Sequence, residues 1–357
     1  MEWEKSIQWL LKEKGSDLYL KEESPPFLRV AGRVIKGDRI LSREEIDELL
    51  LFILGEKGKE RFYQEKEEDL AFEYSGKRFR TNLFFQRGKP ALVIREIKKY
   101  IPTFEELNLP SSVLTQLCHE RRGMVVITGP AGCGKSTTLA AMLEYINKNF
   151  HYHIITIEDP IEFLLEGKKS LINQREIGKD TLSFHRALKS VVRESPDVIM
   201  IGEIRDRETF EAALNASETG SLVLTTLHTI DAPKTVERIL AFFPPEYQNE
   251  IRFRVSYLLK GVISLRLLLL KSNEGRIPAY SVLLGTPTVR KYIQEGRIDD
   301  LYKLMEDGKS FGMCTFNQRL HSLVKEGKVD YEEALSQSNK PEELKMKLAG
   351  IISSSLR

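Results

Sequence analysis

Residues 129–136 read GPAGCGKS and match the phosphate-loop pattern of Gly, four residues, Gly, Lys and Ser or Thr. The spacing has a chemical reason. Gly129, Gly132 and Gly134 permit turns tight enough for successive backbone N–H groups to face phosphate oxygens. Lys135 supplies a compact cation for the β- and γ-phosphates, and the Ser136 hydroxyl can ligate Mg²⁺. Pro130, Ala131, Cys133 and Thr137 complete the segment expected to surround the nucleotide. An apolar run at 124–127 precedes the loop and a helix-forming run at 136–147 follows it. That strand–loop–helix order aims the positive end of a helix dipole at the phosphates. The pattern implies binding of a nucleoside triphosphate, ATP with Mg²⁺ being the expected form.

Hydrolysing a γ-phosphate also requires a carboxylate to orient water and positive charge to stabilise the transition state. The run 198–202, VIMIG, delivers Glu203 to a strand tip, where it can polarise the attacking water or hold the Mg²⁺ hydration shell; the plainer alternative is a surface carboxylate paired with Arg205 or Arg207. Residues 156–163, TIEDPIEF, carry three acids around Pro160; Glu162 is the preferred second catalytic acid and Glu158 the alternative. His228 follows the run 222–226 and can hydrogen-bond the γ-phosphate. Arg78, Arg80, Arg87 and Arg95 lie on or beside amino-terminal strands and suggest arginine fingers, offered by a neighbouring subunit. Cys133, at a helix N-terminus, admits two readings: a thiol of lowered pKa open to oxidation, or a small residue tolerated in the loop.

These residues need a scaffold, and the chain is long enough to build one in two domains. With 357 residues, 41% hydrophobic and 30% charged, it reads as a globular protein. A net charge of +2 gives no broad basic field of the kind that drives nucleic-acid binding. Cys118, Cys133 and Cys314 are too scattered for a disulfide framework or a zinc site, which fits a reducing cytosol. The acidic, amphipathic start MEWEKSIQWL is unlike a signal peptide. The most apolar stretch, 257–270, is interrupted by Lys260 and Arg266 and is too short and charged to span a bilayer. Membrane association is therefore expected only through a partner.

Residues 1–100 read as a mixed α/β domain: a helix at 3–14, strands at 17–21 and 27–30, a capping box at 42–45 opening a helix to 54, then strands at 69–74, 77–86 and 91–97. Residues 101–112 read as a linker with a second capping box at 103–106. From 113 to 285 strands alternate with helices, which implies βαβ units and a parallel sheet. Short apolar runs at 124–128, 153–157, 197–201 and 222–226 are the expected buried strands. Lys135, Glu158, Glu203 and His228 all follow their C-terminal ends, where a doubly wound sheet gathers its ligand. Residues 286–357 read as a charged helical region.

Taken together, RFRTNLFFQRG, GPAGCGKSTTLAAM, TIEDPIEF, NQREIG, PDVIMIGEIRDRET, ETGSLVLTTLHT and FGMCTFNQRL resemble the secretion ATPase superfamily, in its type IV pilus retraction branch of the PilT/PilU type. The resemblance spans nearly the whole chain. It implies a PAS-like N-terminal domain, a RecA-like P-loop ATPase domain and a helical C-terminal extension, assembled as a homo-hexamer. It further implies ATP bound between the two domains, with Arg80 and Arg95 at the positions of the site-completing arginines. Glu158 and Glu162 fall in its aspartate box, Glu203 in its atypical Walker B and His228 in its histidine box. The implied role is a cytoplasmic motor peripheral to the inner membrane, acting on a pilus platform protein. Related pilus-assembly and secretion ATPases are the alternative, and a RecA-like nucleic-acid translocase a remoter one. Two motifs depart from the pattern: Ser221 replaces the first histidine of the histidine box, and TVRKYIQE (288–295) keeps only Arg290, Ile293 and Glu295 of the AIRNLIRE motif associated with retraction.

Overall fold

A computed structural model describes residues 2–30, 32–97, 100–272 and 275–350. The chain divides into two compact units, Met1–Lys99 with Pro160–Leu164, and Tyr100–Asp159 with Leu165–Arg357.

In the first unit, helix α1 (Glu2–Lys12) leads into strands β1 (Asp17–Lys21), β2 (Phe27–Val30) and β3 (Arg33–Lys36). Helix α2 (Arg43–Glu65) is followed by β4 (Glu67–Tyr74), β5 (Lys77–Gln86) and β6 (Lys89–Ile97). The six strands form an antiparallel sheet in the order β3-β2-β1-β6-β5-β4. Two tight turns set the registers of the β4–β6 meander. Ser75-Gly76 and Arg87-Gly88 all have positive φ, between 50° and 77°, the conformation whose twist matches flanking antiparallel strands. Trp3, Ile7 and Leu10 recur at helical spacing along α1 and are buried with Leu18, Leu20, Leu28 and Ile94 of the sheet and Ile46, Leu49, Leu50 and Phe62 of α2. The expected helix end at 54 is corrected: Gly55 adopts φ 67°, ψ 175°, interrupting the helix, which resumes and runs to Glu65. Strand β3 was not expected, because its four residues are all exposed and carry no burial pattern.

The second unit begins with residues once read as linker. Thr103 and Glu106 do form a reciprocal cap, and Phe104 and Leu109 enter the core of this unit. Its elements are α3 (Ser111–Cys118), β7 (Gly123–Thr128), α4 (Lys135–Asn149), β8 (His153–Glu158), β9 (Leu171–Glu176), α5 (Phe184–Val191), β10 (Val198–Ile201), α6 (Arg207–Glu218), β11 (Leu222–Leu227), α7 (Ala232–Ala241), α8 (Gln248–Leu258), β12 (Leu259–Leu269) and β13 (Arg276–Leu284). Five helices follow: α9 (Pro287–Gln294), α10 (Leu301–Asp307), α11 (Phe316–Lys325), α12 (Tyr331–Ser336) and α13 (Pro341–Leu348). The sheet runs β13-β12-β7-β11-β10-β8-β9, parallel throughout except for the antiparallel edge strand β13. Strands β7, β10 and β11 are buried at every position, so helices cover both faces. This is the two-part α/β architecture with a helical C-terminal region that the resemblance implied.

The apolar stretch near 257–270 is therefore strand β12, not merely an interrupted run. Its two cations are accommodated sideways: Lys260 pairs with Glu120 at 2.9 Å, and the Arg266 guanidinium contacts Gln337 O and Asn339 and lies over the Phe316 ring.

The Ser42 hydroxyl accepts from Glu45 N at 3.3 Å while Ser42 N donates to Glu45 Oε2 at 2.8 Å. Ser42→Ala removes this cap and is expected to destabilise the first unit by about 1 kcal/mol. Both tryptophans of the chain, Trp3 and Trp9, belong to α1, so tryptophan fluorescence during urea unfolding reads this unit selectively. An unchanged fluorescence midpoint would show that the cap contributes nothing.

Candidate nucleotide site

The second unit's parallel sheet determines which side chains meet. Pairing aligns Thr226 of β11 with Ile127 of β7, and Thr225 with Ile201 of β10. The residues immediately beyond these ends are the phosphate loop, His228 and Glu203, carried in that order across neighbouring strands. His228 sits in the middle and touches both sides. Its Nδ1 is 3.5 Å from Lys135 Nζ, and its Nε2 is 3.3 Å from Glu203 Oε2. Three of the residues singled out by sequence thus form one row, Lys135–His228–Glu203.

The loop is shaped by close packing. Gly129 has φ +138°, and a Cβ there would lie 2.4 Å from Leu265 O of β12 and 2.6 Å from Cys133 Sγ. Gly132 and Gly134 also occupy positive-φ conformations, at 74° and 100°. Lys135 is buried and donates to Gly129 O at 2.8 Å and Pro130 O at 2.9 Å, so the ammonium is held by its own loop. Helix α4 begins at Gly134, which has no side chain to cap it. The helices after β10 and β11 differ, since Asp206 and Asp231 cap α6 and α7 with their carboxylates. The N-terminus of α4 is the one of these three whose amide groups and dipole are left for an external anion.

Glu203 is fixed at the backbone. Gly202 N donates to Ile157 O at 2.9 Å, Ile204 N to Thr226 O at 3.3 Å, and Thr226 Oγ1 to Gly202 O at 2.7 Å. Its Oε1 receives the Arg205 guanidinium. The hydrogen bond to Glu203 in turn raises the pKa of Arg205, so that arginine stays charged.

The remaining candidates have partners of their own. Glu158, at the end of β8, is buried and its Oε1 accepts from Thr156 Oγ1 at 2.6 Å and Gln174 Nε2 of β9 at 3.1 Å. Glu162 belongs to the first unit, 3.7 Å from Arg80 Nη1. Arg80 is also held by Asp69, through Nε at 3.3 Å and Nη2 at 2.6 Å. Arg78 and Arg87 occupy less suggestive places, one 3.8 Å from Glu73 and the other in a left-handed turn. Arg95 contacts Asp17, with Nε–Oδ1 at 3.0 Å. Burial pushes the pKa of Asp17 up, but hydrogen bonds from Ser16 and Arg95 outweigh it and hold the carboxyl below its ordinary value. Ser221 accounts for one departure from the family pattern. It lies before β11 at the end opposite His228, its hydroxyl bonded to Pro196 O at 2.9 Å, about 20 Å of strand away from the row.

For Cys133 the structure favours the small buried residue over the thiol of lowered pKa. The thiol is buried beneath the loop, and burial pushes its pKa above the ordinary value; the nearby Lys135 charge only partly offsets this.

The family described as type II/IV secretion system protein matches residues 65–327, most of the chain. The chain belongs to this family, as a PilT-type ATPase. It is 42% identical over 333 residues to the type IV pilus retraction ATPase PilT of Pseudomonas aeruginosa, covering 93% of this chain and 96% of that one. The PilU ATPase of the same organism is 40% identical over 348 residues, covering 97% and 91%. A crystal structure of the pilus retraction motor PilT with bound ADP superposes with a TM-score of 0.88 at 42% identity, over 95% of this chain and 97% of that one. As a PilT-type ATPase the chain binds nucleotide.

Of the two arginines weighed as partners of Glu203, the structure places Arg205 on it. Sequence reasoning missed Gln174, Asp69 and Asp17, which become neighbours of Glu158, Arg80 and Arg95 only through strand pairing.

Burial raises the pKa of all three thiols, to about 11 for Cys314. A native sample at pH 8 is therefore expected to react negligibly with a thiol-disulfide reagent, and to titrate three thiols after denaturation. A rapid native equivalent lost in Cys133→Ser would contradict the burial argument.

Proposed function

We propose that this chain is an ATP-hydrolysing motor that drives type IV pilus retraction as a homo-hexameric ring. The observation that carries the chemical part is the Lys135–His228–Glu203 row at the ends of adjacent parallel strands. The similarity to PilT over nearly the full length of both chains supports the pilus part.

In this reading the ATP phosphates occupy the loop at 129–136, with the backbone amides at the start of α4 and Lys135 countering their charge. Ser136 holds Mg²⁺, which when bound neutralises charge on the phosphate oxygens. Glu203 orients the attacking water, and His228 reports the γ-phosphate to both of its neighbours in the row. Glu158, tied to Thr156 and Gln174, supports the edge of the site, and Glu162 acts with Arg80. Arg80 and Arg95 reach the phosphates of a neighbouring copy, which requires each to leave its aspartate. In this division of labour residues 1–100 carry the arginines, 113–285 the nucleotide chemistry and 286–357 a helical extension, with 101–112 belonging to the second unit. Among the described residues no helix is long and apolar enough to cross a membrane. In this reading the motor works from the cytoplasmic side against an inner-membrane platform protein, a role that the similarity to pilus ATPases supports.

Lys135→Ala is expected to abolish turnover, while Glu203→Gln should retain nucleotide yet hydrolyse it at least about a hundredfold more slowly. Arg80→Ala should cost about 10³-fold in kcat if it acts as a finger, and a loss of tenfold or less would assign it to structure. Deletion in the native host decides direction, read as surface pili by electron microscopy. Excess pili with lost twitching establishes retraction; bald cells would mean assembly.

A further inference from the structure

The catalytic assignment of Glu203 leaves one contact unexplained. A carboxylate that orients water must present a lone pair to it. Here each oxygen already has a partner that fixes how the carboxylate is turned: Oε1 carries the Arg205 guanidinium and Oε2 lies 3.3 Å from His228 Nε2. The backbone gives no latitude, because the turn is bonded to β8 through Gly202 and to β11 through Ile204 and Thr226. What can change is the side chain's own orientation. The two partners differ in how firmly they are placed. Glu203 is mostly buried, at 18% side-chain exposure, whereas the Arg205 side chain is 72% exposed. Arg205 reaches over the acid with most of its side chain in solvent.

Building on the reading of Glu203 above, we propose that Arg205 is a positioning residue that clamps Glu203 in a resting orientation and must release it before water can be activated. An exposed guanidinium is suited to this, since it forms a directional fork to carboxylate yet keeps an alternative in any nearby anion. Asp159, whose charge also acts on Arg205, is such an anion on the neighbouring strand end. Release makes Glu203 available without moving the main chain.

The test is steady-state ATPase activity of the full chain without pilus components, with kcat and KM determined separately. Arg205→Ala is expected to raise kcat about threefold or more, with KM changed less than twofold, because the restraint acts on the acid rather than on nucleotide binding. Arg205→Lys, which offers a point charge in place of a fork, falls between. Adding Glu203→Gln to Arg205→Ala must return the rate to that of Glu203→Gln alone. A fall in kcat with unimpaired binding of a fluorescent ATP analogue overturns the clamp, as does a rise that persists in the double variant. If Glu203→Gln alone turns over at the parental rate, the assignment of Glu203 itself fails, a result distinct from either.

Discussion

Parallel pairing makes neighbouring strands finish at one edge, and the chemistry of this chain depends on that constraint. An antiparallel neighbour would carry His228 to the far side of the sheet. Because β7, β11 and β10 run in the same direction and in register, a lysine, a histidine and a glutamate separated by dozens of residues arrive within contact of one another. The same rule explains why Ser221 is no substitute for a site histidine. It precedes the strand that His228 follows, so the full length of β11 separates them.

Burying Lys135 creates an electrostatic problem that the loop solves internally. An ammonium removed from water needs acceptors, and Gly129 O and Pro130 O provide two within 2.9 Å. Nucleotide binding is then an exchange of partners for this group, phosphate for carbonyl. Gly129 is also where the loop crosses closest to Leu265 of β12, so the loop shape and the placement of that strand are coupled. Cys133 fills the space under the crossing, which is why burial and not the helix dipole sets its acidity.

How much was legible in the sequence follows from how local each cause is. Strands covered on both faces announce themselves as unbroken apolar runs, and VVIT, VIMI and LVLT were read within a residue or two. Strand β9, LINQRE, is an edge strand with exposed positions, so nothing in its composition separated it from a loop. The capping box at Ser42 was readable because it spans four residues; the break at Gly55 was not, because the resumed helix depends on burying Phe62. The phosphate loop, Glu203 and His228 were readable for the same reason of locality. Glu158 was harder to place because its partner Gln174 sits on the strand that had not been recognised.

The altered motif TVRKYIQE can be weighed by what each position touches. Of the three family residues it keeps, Ile293 is buried, Arg290 donates to Gly285 O at 3.0 Å, and Glu295 lies within 3.8 Å of Lys291. Those are internal contacts, and they secure α9 within its own unit. The departures at Thr288 and Lys291 are exposed, and Gln294 turns to Ser256 of α8 at 3.0 Å. The retained residues therefore preserve the helix, while the exposed changes alter the surface it presents. That surface shares no side chain with the Lys135–His228–Glu203 row at the strand ends. Lys135, His228 and Glu203 are separate from α9 in sequence and share none of the α9 contacts described above.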